Sequence, residues 1–174
     1  MLRTIAWCFG LGLAAILTTA GVVAATTISP HALQIFVTDL NNHRIVRIND
    51  MTGSGWTTFG SFGKGKNQFN NPRGIAVTAA GQIFVVDSGN DRIVRINDMT
   101  GAGWTTFGSP GREVNQFSIP TGIAVTAPGQ IFVADGNVSR IVRINDMTGA
   151  GWTTFSGRGR GVNQFDVPWD IAVR

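Results

Sequence analysis

The sixteen residues Arg92–Phe107 recur unchanged at Arg140–Phe155, and recur at Arg44–Phe59 with one difference, Ser54 in place of alanine. The copies are spaced by 48 residues without insertion, as Trp56, Trp104 and Trp152 show, and again Pro72, Pro120 and Pro168. A chain with such a fixed period builds one supersecondary unit repeatedly and buries each unit against the next. After the first thirty residues no apolar pattern of period 3.6 appears, while Val, Ile, Phe, Trp and Thr fill short runs between glycine-rich turns. That combination excludes helical repeats and predicts an all-β chain whose unit is a blade of four strands.

The second copy gives the layout. Gly74–Val77 reads as a first strand, ended by Ala80-Gly81. Gln82–Asp87 is apolar on both faces, as in a strand covered on both sides. Ser88–Asp91 is a turn cluster, Arg92–Ile96 a third strand, Asn97–Gly103 a turn, and Trp104–Phe107 a fourth strand. The repeats run 34–81, 82–129 and 130–174, after a short linker at 26–33.

Residues Pro72-x-Gly74-Ile75-Ala76-Val77 and Gly81-x-Ile83-Phe84-Val85-Val86-Asp87-Ser88-Gly89-Asn90-Asp91-Arg92-Ile93 resemble the NHL repeat. The resemblance extends from Gln34 to Arg174 and departs in the third copy, where Asp135-Gly136-Asn137-Val138-Ser139-Arg140 moves the asparagine by one place. It implies a β-propeller, commonly of six blades, with a binding role. Some eukaryotic relatives join this domain to ubiquitin-ligase modules or use it to bind RNA. No ligase module stands here, so that activity is not carried over.

The first copy lacks a first strand, because Thr26–Ser29 stands where Gly-Ile-Ala-Val is expected, and the third is followed by a spare one, Ile171-Ala172-Val173. A strand missing at one end and in surplus at the other predicts closure by strand exchange. Three blades fall short of the four to eight that close a ring. The expectation is half of a six-bladed ring, completed by self-association.

Residues 1–25 have a charged start at Arg3, an apolar middle and the small residues Val23 and Ala25, the layout of a secretory signal cut after Ala25. The alternative is a membrane anchor over residues 5–25. The chain is therefore expected outside the cytoplasm, secreted or periplasmic, with membrane contact only if this segment is retained. Cleavage removes Cys8, the single cysteine, so no disulfide, thiolate metal site or RING module is expected.

Lys and Arg exceed Asp and Glu by 14 to 10, which favours anionic partners without specifying nucleic acid. Asp39 with Arg44, Asp87 with Arg92 and Asp135 with Arg140 recur in every copy and read as structural ion pairs, because an active site needs asymmetry and these have none. Trp56, Trp104 and Trp152 read as covers for apolar surface rather than a sugar-stacking array. Asn49–Gly53 reads as a tight turn, since it lacks the ligands of a calcium loop.

The copies differ mainly in the turn between strands two and three and in the connection Gly60–Gly74 with its equivalents, which a propeller places on one face. That face carries Lys64, Lys66, Arg73, Arg112, Arg158 and Arg160 against Glu113, Asp166 and Asp170. Trp169 stands where the other copies have Arg73 and Thr121, and either plugs a channel end or contacts a ligand. These seven residues are the candidate ligand-binding set. The variation fits either drift or ligand adaptation. The leading expectation is an exported, non-catalytic binding module for an anionic polysaccharide or protein, with no cofactor and no metal. A lyase or lactonase and an RNA-binding domain are the rivals. A fragment of a longer repeat protein without independent function is the third possibility.

Overall fold

Alternation of side chains across a pleated strand decides the architecture, since each inner sheet must bury both of its faces. The structure is a computed structural model that describes residues 33–174; the readings of residues 1–25, Cys8 and Thr26–Ser29 lie outside them. Residues Gln34–Arg174 form one compact unit. In chain order, β1 (Ile35–Asp39), β2 (Arg44–Ile48) and β3 (Thr57–Phe59) make a first, three-stranded sheet. Strands β4 (Pro72–Val77), β5 (Ile83–Asp87), β6 (Arg92–Ile96) and β7 (Thr105–Phe107) make a second of four. A short parallel pair, β8 (Ser109–Pro110) with β9 (Gln116–Phe117), lies in the connection. The third sheet is β10 (Pro120–Val125), β11 (Ile131–Asp135), β12 (Arg140–Ile144) and β13 (Thr153–Phe155). All three sheets are antiparallel meanders in sequence order.

Strand β5 shows how the sheets stack. Ile83 and Val85 point into a core with Ile45 and Phe69, whereas Phe84 and Val86 point into a second core with Phe117, Val133 and Val142. Complete burial of each such side chain contributes about 1.5–3 kcal/mol. An aromatic trio closes each junction. Phe59, Phe69 and Trp104 meet between the first and second sheets, with centroids 5.4–6.2 Å apart, and Phe107, Phe117 and Trp152 meet between the second and third at 5.5–6.2 Å. Trp104 and Trp152 thus cover apolar surface between sheets. Trp56, which has no preceding sheet among the described residues, is exposed.

The second and fourth strands begin one residue later than the sequence predicts, at Ile83 and Thr105, and the inner strands depart further. The inner strands start at Pro72 and Pro120, two residues early, with a register irregularity before Ile75 and Ile123. Ile171–Val173 forms no strand, because the neighbour it would pair with is not supplied by the described residues. It nevertheless lies where a further inner strand belongs. A β-carbon on Gly74 would meet Thr121 O and Gly122 Cα at 2.8 and 2.9 Å, and one on Gly122 would meet Asp170 Cα at 2.7 Å. Inner backbones approach this closely only because both positions are glycine.

Candidate functional site

The variable face begins at the turns after β1, β5 and β11. Each is a 3-10 turn, Leu40–Asn42, Ser88–Asn90 or Gly136–Val138, closed by a residue in the left-handed region: His43 (φ 53°), Asp91 (φ 52°) or Ser139 (φ 59°). These three residues differ in chemistry and share one task. His43 Nδ1 accepts from the Asn71 N–H, Asp91 Oδ1 from Ile119 N–H and Ser139 Oγ from Val167 N–H, at 3.1, 2.6 and 3.2 Å. Part of the variation between copies is thus a choice among acceptors of one backbone donor.

The repeated ion pairs are made at 2.8 Å in Asp39–Arg44, 2.7 Å in Asp87–Arg92 and 2.9 Å in Asp135–Arg140. Their arginines do more than neutralise the aspartate. Arg92 also donates to the Lys64 and Gln68 carbonyls, and Arg140 to those of Arg112 and Gln116. Each arginine therefore ties the basic connection of the preceding repeat to its own turn, so both sets of loops lie on one face. Asp87 and Asp135 complete the tie by accepting from the Asn70 and Ser118 N–H groups. Burial pushes the Asp135 carboxyl above the usual range, against the Ser118 N–H and Arg140. Asp39 is less covered, and Asn42 first, then Arg44, hold it below that range.

Sequence reading missed a second pin. Gln68, Gln116 and Gln164 each turn a side-chain oxygen back onto a loop N–H, of Gly65, Glu113 and Gly161, at 2.9, 3.0 and 3.0 Å. Their 48-residue spacing was the available signal. In the third turn the displaced Asn137 bonds to Ser118 Oγ, whereas Asn90 reaches Gly63 O and Asp87. Asn49–Gly53 is a turn: Asp50 accepts from Thr52, and Gly53 N–H donates to Asp50 O.

The seven candidate residues do not form one cluster. Lys64, Lys66, Arg112, Arg158 and Arg160 are exposed on successive connections. Arg158 is paired with Asp166 at 3.2 Å, which partly neutralises it. Arg73 and Trp169 do meet: the guanidinium lies 4.8 Å from the indole centroid, within cation–π range. They line a concavity of about 370 Å³ with Thr38, Leu40, Thr121 and Asp170 among others. Trp169 is 64% exposed and its indole lines the concavity. Arg73 Nε is buried and has no partner among the described residues, a property it shares with Arg47, Arg95 and Arg143 on the sheets. Among the described residues no three His, Cys, Asp or Glu side chains are grouped to hold a metal.

Comparison with known proteins gives a fold and a repeat type. The NHL repeat model matches residues 69–96. A streptogramin B lyase structure superposes with a TM-score of 0.56 at 17% identity, over 80% of this chain and 41% of that one. A catalytically inactive variant of virginiamycin B lyase from Staphylococcus aureus, solved with quinupristin, gives 0.54 at 19% identity, over 79% and 41%. The chain thus spans about two-fifths of the length of those structures. No curated protein matches its sequence. Residues 69–96 carry an NHL repeat, and the unit that contains them has the fold of a β-propeller.

Proposed function

We propose that this propeller is a non-catalytic binding module, acting outside the cytoplasm, whose variable face holds an acidic polysaccharide. The observation that carries the reading is the Arg73–Trp169 stack at the concavity, an exposed indole held 4.8 Å from a cation on the face that also presents Lys64, Lys66, Arg112 and Arg160. An exposed ring offers an apolar surface to a sugar, and the surrounding cations attract its acidic groups. An acidic protein would use the cations without needing the ring, which is why the polysaccharide is favoured. The loops are held by backbone-directed bonds from Arg92, Arg140 and the three glutamines, so their charged tips are free to face a ligand.

A second reading, a lyase like the structural neighbours, draws on the likeness of fold. The described histidine, His43, is engaged as a backbone acceptor, packs on Phe62 at 4.7 Å and is not among the residues that line the concavity. Incubation with quinupristin separates the readings: the binding module leaves it intact, and its consumption establishes the lyase.

The binding test reverses Lys64, Lys66 and Arg160 to glutamate. Exposed loop substitutions of this kind move stability by only about 0.5 kcal/mol. The expected result is lost retention on a sulfated polysaccharide matrix with unchanged thermal unfolding, mimicked in the parent chain by raised salt. Trp169→Ala should weaken binding of a neutral-salt-eluted acidic oligosaccharide while leaving net charge alone. Retention that survives reversal would overturn the reading.

A further inference from the structure

We propose that the two sheet faces left open by the described residues are filled by a second copy of this chain, two copies closing one six-bladed ring. Each open face is one half of a junction that the structure already builds twice. On the third sheet, Phe155 and Phe165 stand edge to face at 6.1 Å, as do Phe59 with Phe69 and Phe107 with Phe117, but without a tryptophan against them. On the first sheet, Trp56 is 59% exposed and borders a groove of about 340 Å³ with Val37, Val46 and Ile48. The equivalents Val85, Val94 and Ile96 are buried against the preceding sheet. The trio is split between the third sheet and the first.

The polar part of the junction is split in the same way. Arg92 and Arg140 each bond one aspartate and two carbonyls of the preceding connection, whereas Arg44 donates to Asp39 alone among the described residues. By the 48-residue period the carbonyls that match Lys64 and Gln68, or Arg112 and Gln116, are those of Arg160 and Gln164 in the last connection. Among the described residues Asp39 likewise lacks the backbone donor that Asn70 and Ser118 supply to Asp87 and Asp135, and by the 48-residue period the Asp166 N–H is its counterpart. Docking the third sheet of one copy on the first sheet of the other satisfies all of these groups at once.

The inner edge completes the set. Among the described residues, strand β1 pairs only with β2 and has no inner neighbour, and residues 168–174 lie in an inner-strand position with no strand to pair with. Carrying over the β4–β5 register, in which Pro72, Ile75, Ala76 and Val77 face Asp87, Val85, Phe84 and Ile83, sets Pro168, Ile171, Ala172 and Val173 of one copy opposite Asp39, Val37, Phe36 and Ile35 of the other. Every sheet then has four strands. Two sets of three sheets give six blades, within the four to eight of closed propellers, and both junctions are equivalent under a two-fold axis. The open edges are covered together with the apolar faces.

The mass of the full chain in solution tests this, by light scattering after size exclusion. Twice the mass of one chain is expected. A cooperatively folded monomer, or an assembly larger than two, would overturn the proposal. Val37→Glu with Trp56→Glu changes two side chains that are already exposed in the single copy, so the fold survives; it should halve the measured mass. Retention of the double mass by this variant would contradict the proposed junction.

Discussion

The first and second sheets contain the same segment, RIVRINDMTG followed by serine or alanine and then GWTTF, and differ in what covers them. Arg92 and Asp87 are almost wholly buried; Arg44 and Asp39, joined at nearly the same distance, retain about a third and a quarter of their side-chain exposure. Val85 is 0% exposed, and its equivalent Val37 is 45% exposed. Identical local sequence therefore yields identical strands but not an identical environment. The strand comes from the alternation within a copy; the burial comes from the neighbouring copy, and the arginine is the group through which the neighbour's loop is held.

The largest effect that would sharpen this contrast is loss of a junction aromatic. Phe117→Ala should cost about 3–5 kcal/mol in urea denaturation, the range for a fully buried aromatic. Phe165→Ala, at the half-buried equivalent, should cost distinctly less when the protein is dilute enough for copies to separate. Equal costs would mean the last aromatic is already covered in the single copy.

The ion pairs come next. Arg92→Ala leaves Asp87 buried without its cation and should destabilise by about 3–5 kcal/mol. Arg44→Ala removes a partly solvated pair, for which about 0–1 kcal/mol is expected in the dilute chain. In the concentrated protein the same variant should instead weaken self-association, read as a rise in the concentration at which the mass doubles.

A smaller effect belongs to the turn acceptors. His43→Ala strands the Asn71 N–H and should cost about 1 kcal/mol. His43→Asp should stay near the parent, because Asp91 does the same task one repeat later. If both substitutions cost the same, ring packing on Phe62, and not the hydrogen bond, is what the position requires.

Acidification should separate the sheets least, and in a defined direction. Asp50, Asp98 and Asp146 are held below the usual carboxylate range by the side chains, then the backbone N–H groups, of Thr52, Thr100 and Thr148. Asp39 is held low by Asn42 and Arg44. Stability from these four is present above the ordinary carboxylate pKa and is lost as pH falls through their lowered values. Asp135, raised by burial, contributes in the opposite sense: its share is complete below the ordinary value and lost as pH rises through the raised one. The melting temperature should therefore fall between about pH 5 and pH 2, and fall more steeply in Asp135→Asn.

Strands were the legible part of the sequence. Arg92–Ile96 was placed to the residue, and β5 within one, because turn clusters and alternation bound them tightly. The early start at Pro72 was not legible, since a proline followed by an irregular register has no alternation to read. Nor were the three ties of Arg92 and Arg140: spacing of five residues predicts the aspartate across the hairpin, but the two carbonyls come from a connection 24 and 28 residues away. Of the candidate ligand residues, the Arg73–Trp169 contact joins positions one full ring step apart twice over, which only the stacking of inner strands brings together. The shared task of His43, Asp91 and Ser139 was not legible either, because three different chemistries serve equivalent backbone donors.

Strand exchange between copies is tested most directly by a disulfide. In a Cys8→Ser background, Val37→Cys with Ile171→Cys places thiols on residues that the β4–β5 register makes direct partners across two copies. Antiparallel partners sit about 4.5–5.5 Å apart at Cα, within the range a disulfide spans. Mild oxidation should convert the protein to a covalent dimer on a non-reducing gel, while the off-register pair Val37→Cys with Val173→Cys should link poorly. A chain that stays monomeric on the gel, or links equally in both registers, would contradict the account.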